Sequence, residues 1–468
     1  MDIINQEILD TLERLSRLNV DFLEFIKRNP EGLRRSSYDN LTKFNIGPRN
    51  IQPWPTFISP QTKNQFQEAS SAVYHLIKQI PMRLFDYNPK KISNYYGVRE
   101  DQIQIILEDA KNGHLENLLA RGDFIFSSRG LKCLEYNITA YLGGWQQPIL
   151  ESAYLNNPFI AKFLQEYQVK IYNKSHYTIL LKHLLTIAKK KFYGDKHGEI
   201  NIGIAIRDHQ NSKEDKVVEV ELNRAYQQVL KEQGNHFQGK VFLFDLPDLT
   251  IENDCIFFKG QRIHAMVELY HGNIPPQIFY VSLLGNLLIY NGPITLLLSN
   301  KLNLVLLSEN EETGVFNQEE REIIKKYVPW TRRVVPGKIT FGTKTFDIED
   351  FLNSHREKLV IKPVFELGGV GVQVGKFTPV EQWEEAIKSA LRGKDGNWLV
   401  QEYIEPLPHV YQYGDNGYVE HLVVWGLFVF GSTYAGGYIR LMPGDKKCKG
   451  VINSYQGAER TVILEVDE

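Results

Sequence analysis

The sequence predicts a mixed fold class, α/β and α+β, with a helical region at its N-terminus. Apolar residues recur at helical spacing near the N-terminus, and strands alternate with helices through the middle of the chain. Strands separated by glycine-rich turns dominate the last third. The 468 residues exceed one ordinary domain. We therefore predict three regions, residues 1–115, 116–300 and 301–468.

The composition is that of a globular protein from a reducing compartment. A formal net charge of −2 without a long basic run gives no support to a nucleic-acid partner. Cys133, Cys255 and Cys448 are scattered and have neither disulfide nor metal-site spacing. The apolar runs are too short to span a membrane. We expect a cytoplasmic protein without a membrane partner, and the general frequency of symmetric dimers suggests a homodimer.

The first region, residues 1–115, is predicted to be mainly helical. One face of a predicted helix carries Ile4, Ile8, Leu12 and Leu15, and a second predicted helix contains residues 72–77. Nothing in this region indicates chemistry, so its helices either pack against the rest of the protein or carry a substrate loop.

The middle of the chain predicts an open α/β sheet. Helices are expected at residues 177–191 and 219–232, strands at 198–206 and 240–245, and a hairpin at 256–258 and 263–269. No Gly-x-Gly-x-x-Gly follows the first of these strands, so the pattern does not predict a dinucleotide site.

A hairpin before this sheet carries candidate metal ligands. Arg121-Gly-Asp123 begins one short strand, Glu135-Tyr-Asn137 ends the next, and a turn joins the strands at residues 127–130. Glu135 and Asn137 are two residues apart on a strand and face the same side. Carboxylate and amide oxygens suit Mg²⁺. The alternative is an ordinary hairpin with one polar face.

Two lysines and a glycine-rich turn form a candidate phosphate site in the last third of the chain. Lys362 ends a strand, and Gly368, Gly369 and Gly371 follow it in a turn that allows backbone N–H groups to approach phosphate oxygens. Lys301 follows an apolar run. Taken separately, the turn is equally well explained as a structural hairpin and Lys301 as a solvated surface residue.

A candidate adenine site follows the glycine-rich turn. Gln401, Glu402, Tyr403 and Ile404 come where an apolar strand becomes polar. The backbone at such a hinge can present N–H and C=O groups to a base edge, and Glu402 could accept from an exocyclic amine or bind ribose. The alternative is an edge strand with one solvated glutamate.

The order of these pieces resembles the ATP-grasp superfamily, in particular its rearranged branch that includes glutathionylspermidine synthetase and related carboxylate–amine ligases. The Arg121–Asp123 and Glu135–Asn137 motifs resemble that branch's metal site, and Lys301 and Lys362 resemble its two nucleotide lysines. Residues 434–440 and 450–454 are similar to circularly permuted ATP-grasp proteins. The glycine loop differs from the usual family sequence, and no amidase half with a catalytic cysteine is present.

The resemblance implies an ATP-grasp fold in permuted order, with an open α/β domain of the pre-ATP-grasp type. It also implies ATP-dependent ligation of a small-molecule or peptide carboxylate to an amine through an acyl phosphate. By the same resemblance Mg²⁺ would be bound by Asp123, Glu135 and Asn137. Lys301 and Lys362 would neutralise the ATP phosphates, and Arg121 and Arg440 would stabilise the oxyanion and the phosphoryl group.

Three other functions remain open at this point. The chain could be a non-catalytic ATP-binding relative, a phosphotransferase that stops at a phosphorylated product, or a ligase that modifies a ribosomal peptide. In the last case residues 1–110 are the candidate docking surface. Neither the acid nor the amine is identified by the sequence. Trp145, next to two glycines, is the aromatic residue that we expect in the substrate pocket.

Overall fold

The computed structural model has the predicted mixture of helices and several sheets, an α+β fold. It describes residues 4–29, 33, 38, 51–111, 118–193, 198–206, 213–234, 237–269, 274–366, 368–393, 397–413, 417–444 and 450–467. The α-helices are Gln6–Leu15, Leu18–Arg28, Pro60–Arg83, Pro89–Tyr96, Glu100–Lys111, Gln147–Leu155, Pro158–Glu166, His176–Phe192, Lys213–Glu232, Pro276–Leu283, Thr295–Leu298, Leu302–Glu309, Gln318–Tyr327, Ile348–Ser354 and Val380–Arg392.

The largest sheet, here called the central sheet, takes strands from all three predicted regions. Its order is Thr56–Ile58, Glu459–Glu465, Thr433–Pro443, Gly417–Phe430, Leu119–Ser127 and Gly130–Asn137, and His409–Tyr413 also pairs with Gly417–Phe430. The predicted metal-site hairpin therefore forms one end of this sheet. The central sheet thus crosses both predicted boundaries, at residues 115 and 300. The division into three regions stays a prediction.

The N-terminal helices pack on the central sheet. The long helix Pro60–Arg83 lies against it, and Phe66 contacts the ring of Trp425 at a centroid distance of 5.1 Å. The side chain of Asn19 is buried and exchanges two hydrogen bonds with the backbone of Phe57, at 2.8 and 2.9 Å. This pairing ties the second helix to the first strand of the sheet.

The middle of the chain contains the predicted open sheet, and its strands are all parallel. Its order is Leu288–Tyr290, Ala265–Glu268, Ile202–Ala205 and Val241–Phe244. The predicted strand at residues 263–269 is divided in two. Gln261–Ile263 completes a hairpin with Cys255–Phe258, which also pairs with Thr250–Glu252. The division falls at His264, whose ring accepts a hydrogen bond from the Asn201 backbone N–H at 3.1 Å and so directs the chain into the parallel sheet.

A third sheet, here called the small sheet, carries the predicted nucleotide motifs. Its order is Thr331–Arg333, Trp398–Glu402, Leu359–Pro363 and Gln373–Val374, with all neighbours antiparallel. The buried rings of Phe351 and Trp383, on the two helices next to it in sequence, pack against its apolar face. Two short pairs complete the strands, Lys338–Phe341 with Lys344–Asp347 and Gly198–Glu199 with Phe237–Gln238. No helix in the described ranges has the length and apolar character needed to cross a bilayer.

The Asn19 contact predicts a loss of stability on substitution. Asn19→Ala leaves the buried backbone groups of Phe57 without their side-chain partner and should lower the free energy of unfolding by about 2 kcal/mol. Urea-induced unfolding measures this loss. Asn156→Ala is the matched control, because its exposed side chain bonds only within its own helix turn and its removal should change stability by less than about 0.5 kcal/mol. A loss at position 19 as small as that of the control would contradict the prediction.

Candidate functional site

The candidate site is a cleft between the central sheet and the small sheet. It encloses about 840 Å³ of empty space, including its open mouth. Ten of the residues predicted from the sequence line it: Asp123, Glu135, Lys301, Lys362, Gly369, Gln401, Glu402, Tyr403, Ile404 and Arg440. Arg121, Asn137, Gly368 and Gly371 are near these residues in sequence but do not line the cleft. The structure therefore brings motifs from three distant parts of the chain together.

Asp123 lies between two arginines at the inner end of the cleft. Arg121 donates through Nε and Nη2 to the two carboxylate oxygens of Asp123, at 2.8 and 2.9 Å. Nη2 of Arg440 is 2.8 Å from Oδ2 of Asp123. The three residues are 5–7% exposed. Burial alone would raise the pKa of Asp123, but the charges and hydrogen bonds of the two guanidinium groups outweigh it and hold that pKa below its usual value.

A glycine on the neighbouring strand makes this cluster sterically possible. Gly426 lies opposite Asp123 on one side and opposite Tyr438 on the other. A Cβ atom at Gly426 would lie 2.8 Å from the Tyr438 ring and 3.1 Å from Cδ of Arg121. The Tyr438 ring centroid is 5.6 Å from the guanidinium carbon of Arg121 and 5.8 Å from that of Arg440, within cation–π range. Because glycine has no side chain, position 426 leaves room for the Tyr438 ring and for the side chain of Arg121.

Lys301 connects the hairpin to the glycine-rich turn. Its Nζ lies 3.3 Å from Oε1 of Glu135 and donates to the backbone carbonyl of Glu366 at 2.6 Å. Glu366 lines the cleft with an exposed side chain. Sequence reasoning missed this residue, although an acidic residue at the start of a glycine-rich turn between two candidate lysines was a signal that could have identified it.

The oxygen atoms of the cleft are the candidate ligands of the predicted metal site. Both oxygens of Asp123 already accept from guanidinium groups, and the described residues contain no group of three His, Cys, Asp or Glu side chains able to bind a metal by themselves. Mg²⁺ needs only one or two carboxylates when waters and phosphate oxygens complete its shell. Glu135 and Glu366 provide such a pair, and Asn137 lies two residues beyond Glu135. The assignment of Asp123 as a ligand stays a prediction.

Lys362 lies in the cleft with its side chain half-buried, and it has polar partners. Its Nζ donates to Oε1 of Gln401 at 2.7 Å and to the carbonyl of Leu134 at 3.2 Å. Burial lowers the pKa of Lys362 to about 8; Glu135 opposes this shift and Lys301 adds to it. The Gln401 amide donates in turn to Thr331 Oγ1 at 3.2 Å, which fixes its orientation. An anion bound here would restore the charge of the lysine.

The predicted adenine hinge has only part of the predicted hydrogen-bonding capacity. The backbone N–H groups of Glu402 and Tyr403 already donate to the carbonyls of Trp330 and Lys358, at 2.9 and 2.7 Å. The Glu402 carboxylate accepts from Arg129 at 2.8 Å. The N–H of Ile404 has no partner within the described ranges and remains as the hinge donor. The hinge therefore offers one backbone donor beside an apolar wall.

That wall consists of aliphatic side chains from both sheets and from the segment after residue 450. These are Ile125, Leu134, Val360, Val372, Val374, Ile404, Val424, Val451 and Ile452. A slot with aliphatic walls and one hydrogen-bond donor at its edge suits a flat aromatic ring.

The glycine-rich turn closes one side of the cleft. Gly368, Gly369 and Gly371 have φ values of +67°, +76° and +71°, a left-handed conformation that favours glycine. A Cβ atom on Gly369 would lie 2.7 Å from Cγ1 of Val451. The turn thus needs glycine both for its backbone conformation and for its close approach to the segment after residue 450.

Trp145 lies outside the cleft. Its ring is parallel to that of Phe430 within 10°, with centroids 5.9 Å apart, and its Nε1 donates to the carbonyl of Ala140 at 3.2 Å. The glycines before it serve the arginine cluster instead, because the carbonyl of Gly143 accepts from Arg121 Nη1 at 3.1 Å. Packing, and not substrate contact, accounts for this aromatic residue.

Comparisons with known proteins give a fold but not a family. No family model matches the chain, and no curated protein matches its sequence. Among solved structures, an apo-form glutathione synthetase-like effector from Globodera pallida matches with a TM-score of 0.56 and 10% identity over 89% of this chain and 90% of that chain. A "Putative gamma-glutamylcysteine synthetase" from Methylobacillus flagellatus KT matches with a TM-score of 0.41 and 12% identity over 84% and 88% of the two chains. The chain thus shares the fold of a glutathione synthetase-like protein.

The arginine cluster predicts that Asp123 is needed for stability. Asp123→Asn removes the only negative charge between two buried guanidinium groups and should lower the free energy of unfolding by about 3–5 kcal/mol. Glu135→Gln is the matched control on the neighbouring strand; its side chain is 33% exposed, so the loss should stay below about 1 kcal/mol. Urea-induced unfolding of both variants tests this, and equal losses would contradict it.

Proposed function

We propose that the protein is an ATP-dependent carboxylate–amine ligase that acts through an acyl phosphate, with an ATP-grasp fold in permuted order. The observation that carries the proposal is the convergence of two lysines, a glycine-rich turn and an aliphatic slot on one cleft that ends at Asp123 and Arg440. The fold shared with a protein named a glutathione synthetase-like effector supports this class of reaction.

The nucleotide would occupy the outer part of the cleft. The adenine ring would occupy the aliphatic slot, where the N–H of Ile404 is the candidate donor to its edge. The phosphates would extend toward Lys301 and Lys362, the two cleft lysines, and lie under the turn that contains Gly369. A buried lysine beside phosphate oxygens acts as a point charge, and backbone N–H groups of a glycine-rich turn add hydrogen bonds.

Mg²⁺, when bound, would neutralise phosphate charge and help to align the γ-phosphate. The residues that would hold it are Glu135 and Glu366, which line the cleft; Asn137, the third ligand implied by the sequence motif, does not line it. We assign Asp123 a different role from the one its sequence motif implies: it positions Arg121 and Arg440, because both of its oxygens are committed to their guanidinium groups.

The reaction proceeds in two transfers. A carboxylate oxygen of the acid attacks the γ-phosphorus in line, and the bond from that phosphorus to the β–γ bridging oxygen breaks. The products of this step are an acyl phosphate and ADP. The amine nitrogen then attacks the acyl carbon, the tetrahedral intermediate expels phosphate, and the amine loses a proton to give the amide. Arg440 lines the inner end of the cleft, where it would stabilise the charge on the phosphoryl group and on the oxyanion. Arg121 does not line the cleft and would act through its ion pair with Asp123. The loss of one such donor typically lowers the rate about 10²–10³-fold.

The proposal predicts ADP release that needs both substrates. Purified protein should release ADP from MgATP only when an acid and an amine from a panel of amino acids, short peptides and polyamines are both present, and EDTA should stop the release. Lys362→Ala should abolish it, because the buried charge that contacts the phosphates is gone. Lys326→Ala, which removes an exposed lysine paired with Glu68, should leave it unchanged.

Other outcomes of this assay identify other functions. Acid-dependent ADP release without any need for an amine would indicate a phosphotransferase. ATP binding without turnover on any pair, including peptide acids, would contradict the ligase and favour a binding protein.

The pKa of Lys362 predicts how nucleotide affinity depends on pH. In the empty cleft this lysine has a pKa of about 8, and a bound phosphate would raise it. Binding then takes up a proton above pH 8, so ADP affinity should fall as pH rises, approaching tenfold per pH unit. Calorimetric titration between pH 7 and 9.5 measures the trend. Lys362→Arg keeps its charge throughout this range, and the same slope in that variant would exclude Lys362 as its source.

A further inference from the structure

Arg460 lies beside the arginine cluster on the next strand of the central sheet. It is directly opposite Arg440 in the antiparallel pair formed by Thr433–Pro443 and Glu459–Glu465. Residues directly opposite each other in such a pair have side chains on the same face, with Cβ atoms about 4.5–5.5 Å apart. Arg460 therefore extends the face that carries Arg121, Asp123 and Arg440.

The guanidinium group of Arg460 has no anionic partner within the described ranges. Its Nε atom is buried without a hydrogen bond, and so is the Nε atom of Arg440. Burial and the charge of Arg440 lower the pKa of Arg460, and Tyr438 opposes the shift.

This arrangement is unfavourable for folding. Like charges directly opposite each other on paired strands are destabilising, and a buried donor without an acceptor carries its full desolvation penalty. Among the residues that the structure describes, Asp123 is the single carboxylate that bonds to the cluster, and its oxygens are already shared by two arginines. The Glu135 carboxylate is engaged by Lys301. Groups that lower the stability of the folded protein in this way are characteristic of ligand sites.

We propose that Arg460 binds a second carboxylate of the acid substrate, so that the protein acts on dicarboxylic acids. The inference rests on the proposed ligase function. Arg440 lines the cleft where the reacting carboxylate and the phosphoryl group would lie, and Arg460 adds one positive charge on the adjacent strand. A single carboxylate matches that charge, and a guanidinium group binds a carboxylate through two parallel hydrogen bonds.

The test compares glutarate with butyrate, in which a hydrogen atom replaces the second carboxylate of glutarate. Calorimetric titration of the full chain with Mg·ADP present should show glutarate binding at least tenfold more tightly than butyrate. Arg460→Gln should remove most of this preference without weakening ADP binding, and Arg460→Lys should keep part of it. Arg262→Gln is the matched control, because Arg262 also has a buried Nε without a partner but lies in the hairpin of Cys255–Phe258 and Gln261–Ile263, outside the central sheet.

Three results would overturn the proposal: equal binding of the two acids by the unaltered protein, a preference that persists in Arg460→Gln, or tighter binding of 3-phosphonopropionate than of glutarate. The thermal midpoint of Arg460→Gln without ligand should equal or exceed that of the unaltered protein, because an unpaired buried charge is lost. A lower midpoint would indicate a structural role instead.

The ligase proposal fails separately. A glutarate preference that depends on Arg460, with no ADP release for any acid and amine, would leave the carboxylate site in place and reject the ligase. Amine-dependent ADP release that is equal for glutarate and butyrate would do the reverse.

Discussion

The ion pairs of Asp123 with Arg121 and Arg440 are the interaction on which the candidate site depends. They join a hairpin from the first third of the chain to a strand near its C-terminus, and they do so inside the protein, where an unpaired charge is expensive. Each partner therefore fixes the other two. The same contacts hold the guanidinium group of Arg440 at the inner end of the cleft, with that of Arg121 on the other side of Asp123.

The cleft separates two electrostatic tasks between its two sheets. The central sheet carries a cluster of arginines, which remain charged at every physiological pH. The small sheet carries Lys362, whose pKa of about 8 allows its charge to respond to what is bound. Lys301 lies between them and contacts both the hairpin and the glycine-rich turn. A polyanion in the cleft would thus contact an arginine of fixed positive charge at one end. Along its length it would contact Lys362, whose protonation responds to what is bound.

The sequence was sufficient for features that depend on local patterns. The hairpin that carries Asp123 and Glu135, the open α/β sheet and the glycine-rich turn all follow from residue type and spacing, and all are present. Features that depend on distant contacts could not be predicted. Nothing local shows that Arg440 shares the carboxylate of Asp123.

Competition for hydrogen bonds was equally hidden from the sequence. The backbone donors of Glu402 and Tyr403 are used by neighbouring segments, and His264 divides a continuous apolar run between two sheets. Each of these outcomes is decided by a partner remote in the chain, and periodicity carries no information about such partners.

The parallel pairing of Thr56–Ile58 with Glu459–Glu465 has a consequence for synthesis on the ribosome. The edge strand is synthesised about 400 residues before the strand that pairs with it. The parallel sheet of residues 202–290 draws on a contiguous stretch and can form before that partner is made. The central sheet, and with it the cleft, cannot be complete until residues 459–465 have been synthesised. During that interval the nascent chain exposes apolar strand surface, so chaperone binding should concentrate on the early segments that await their late partner.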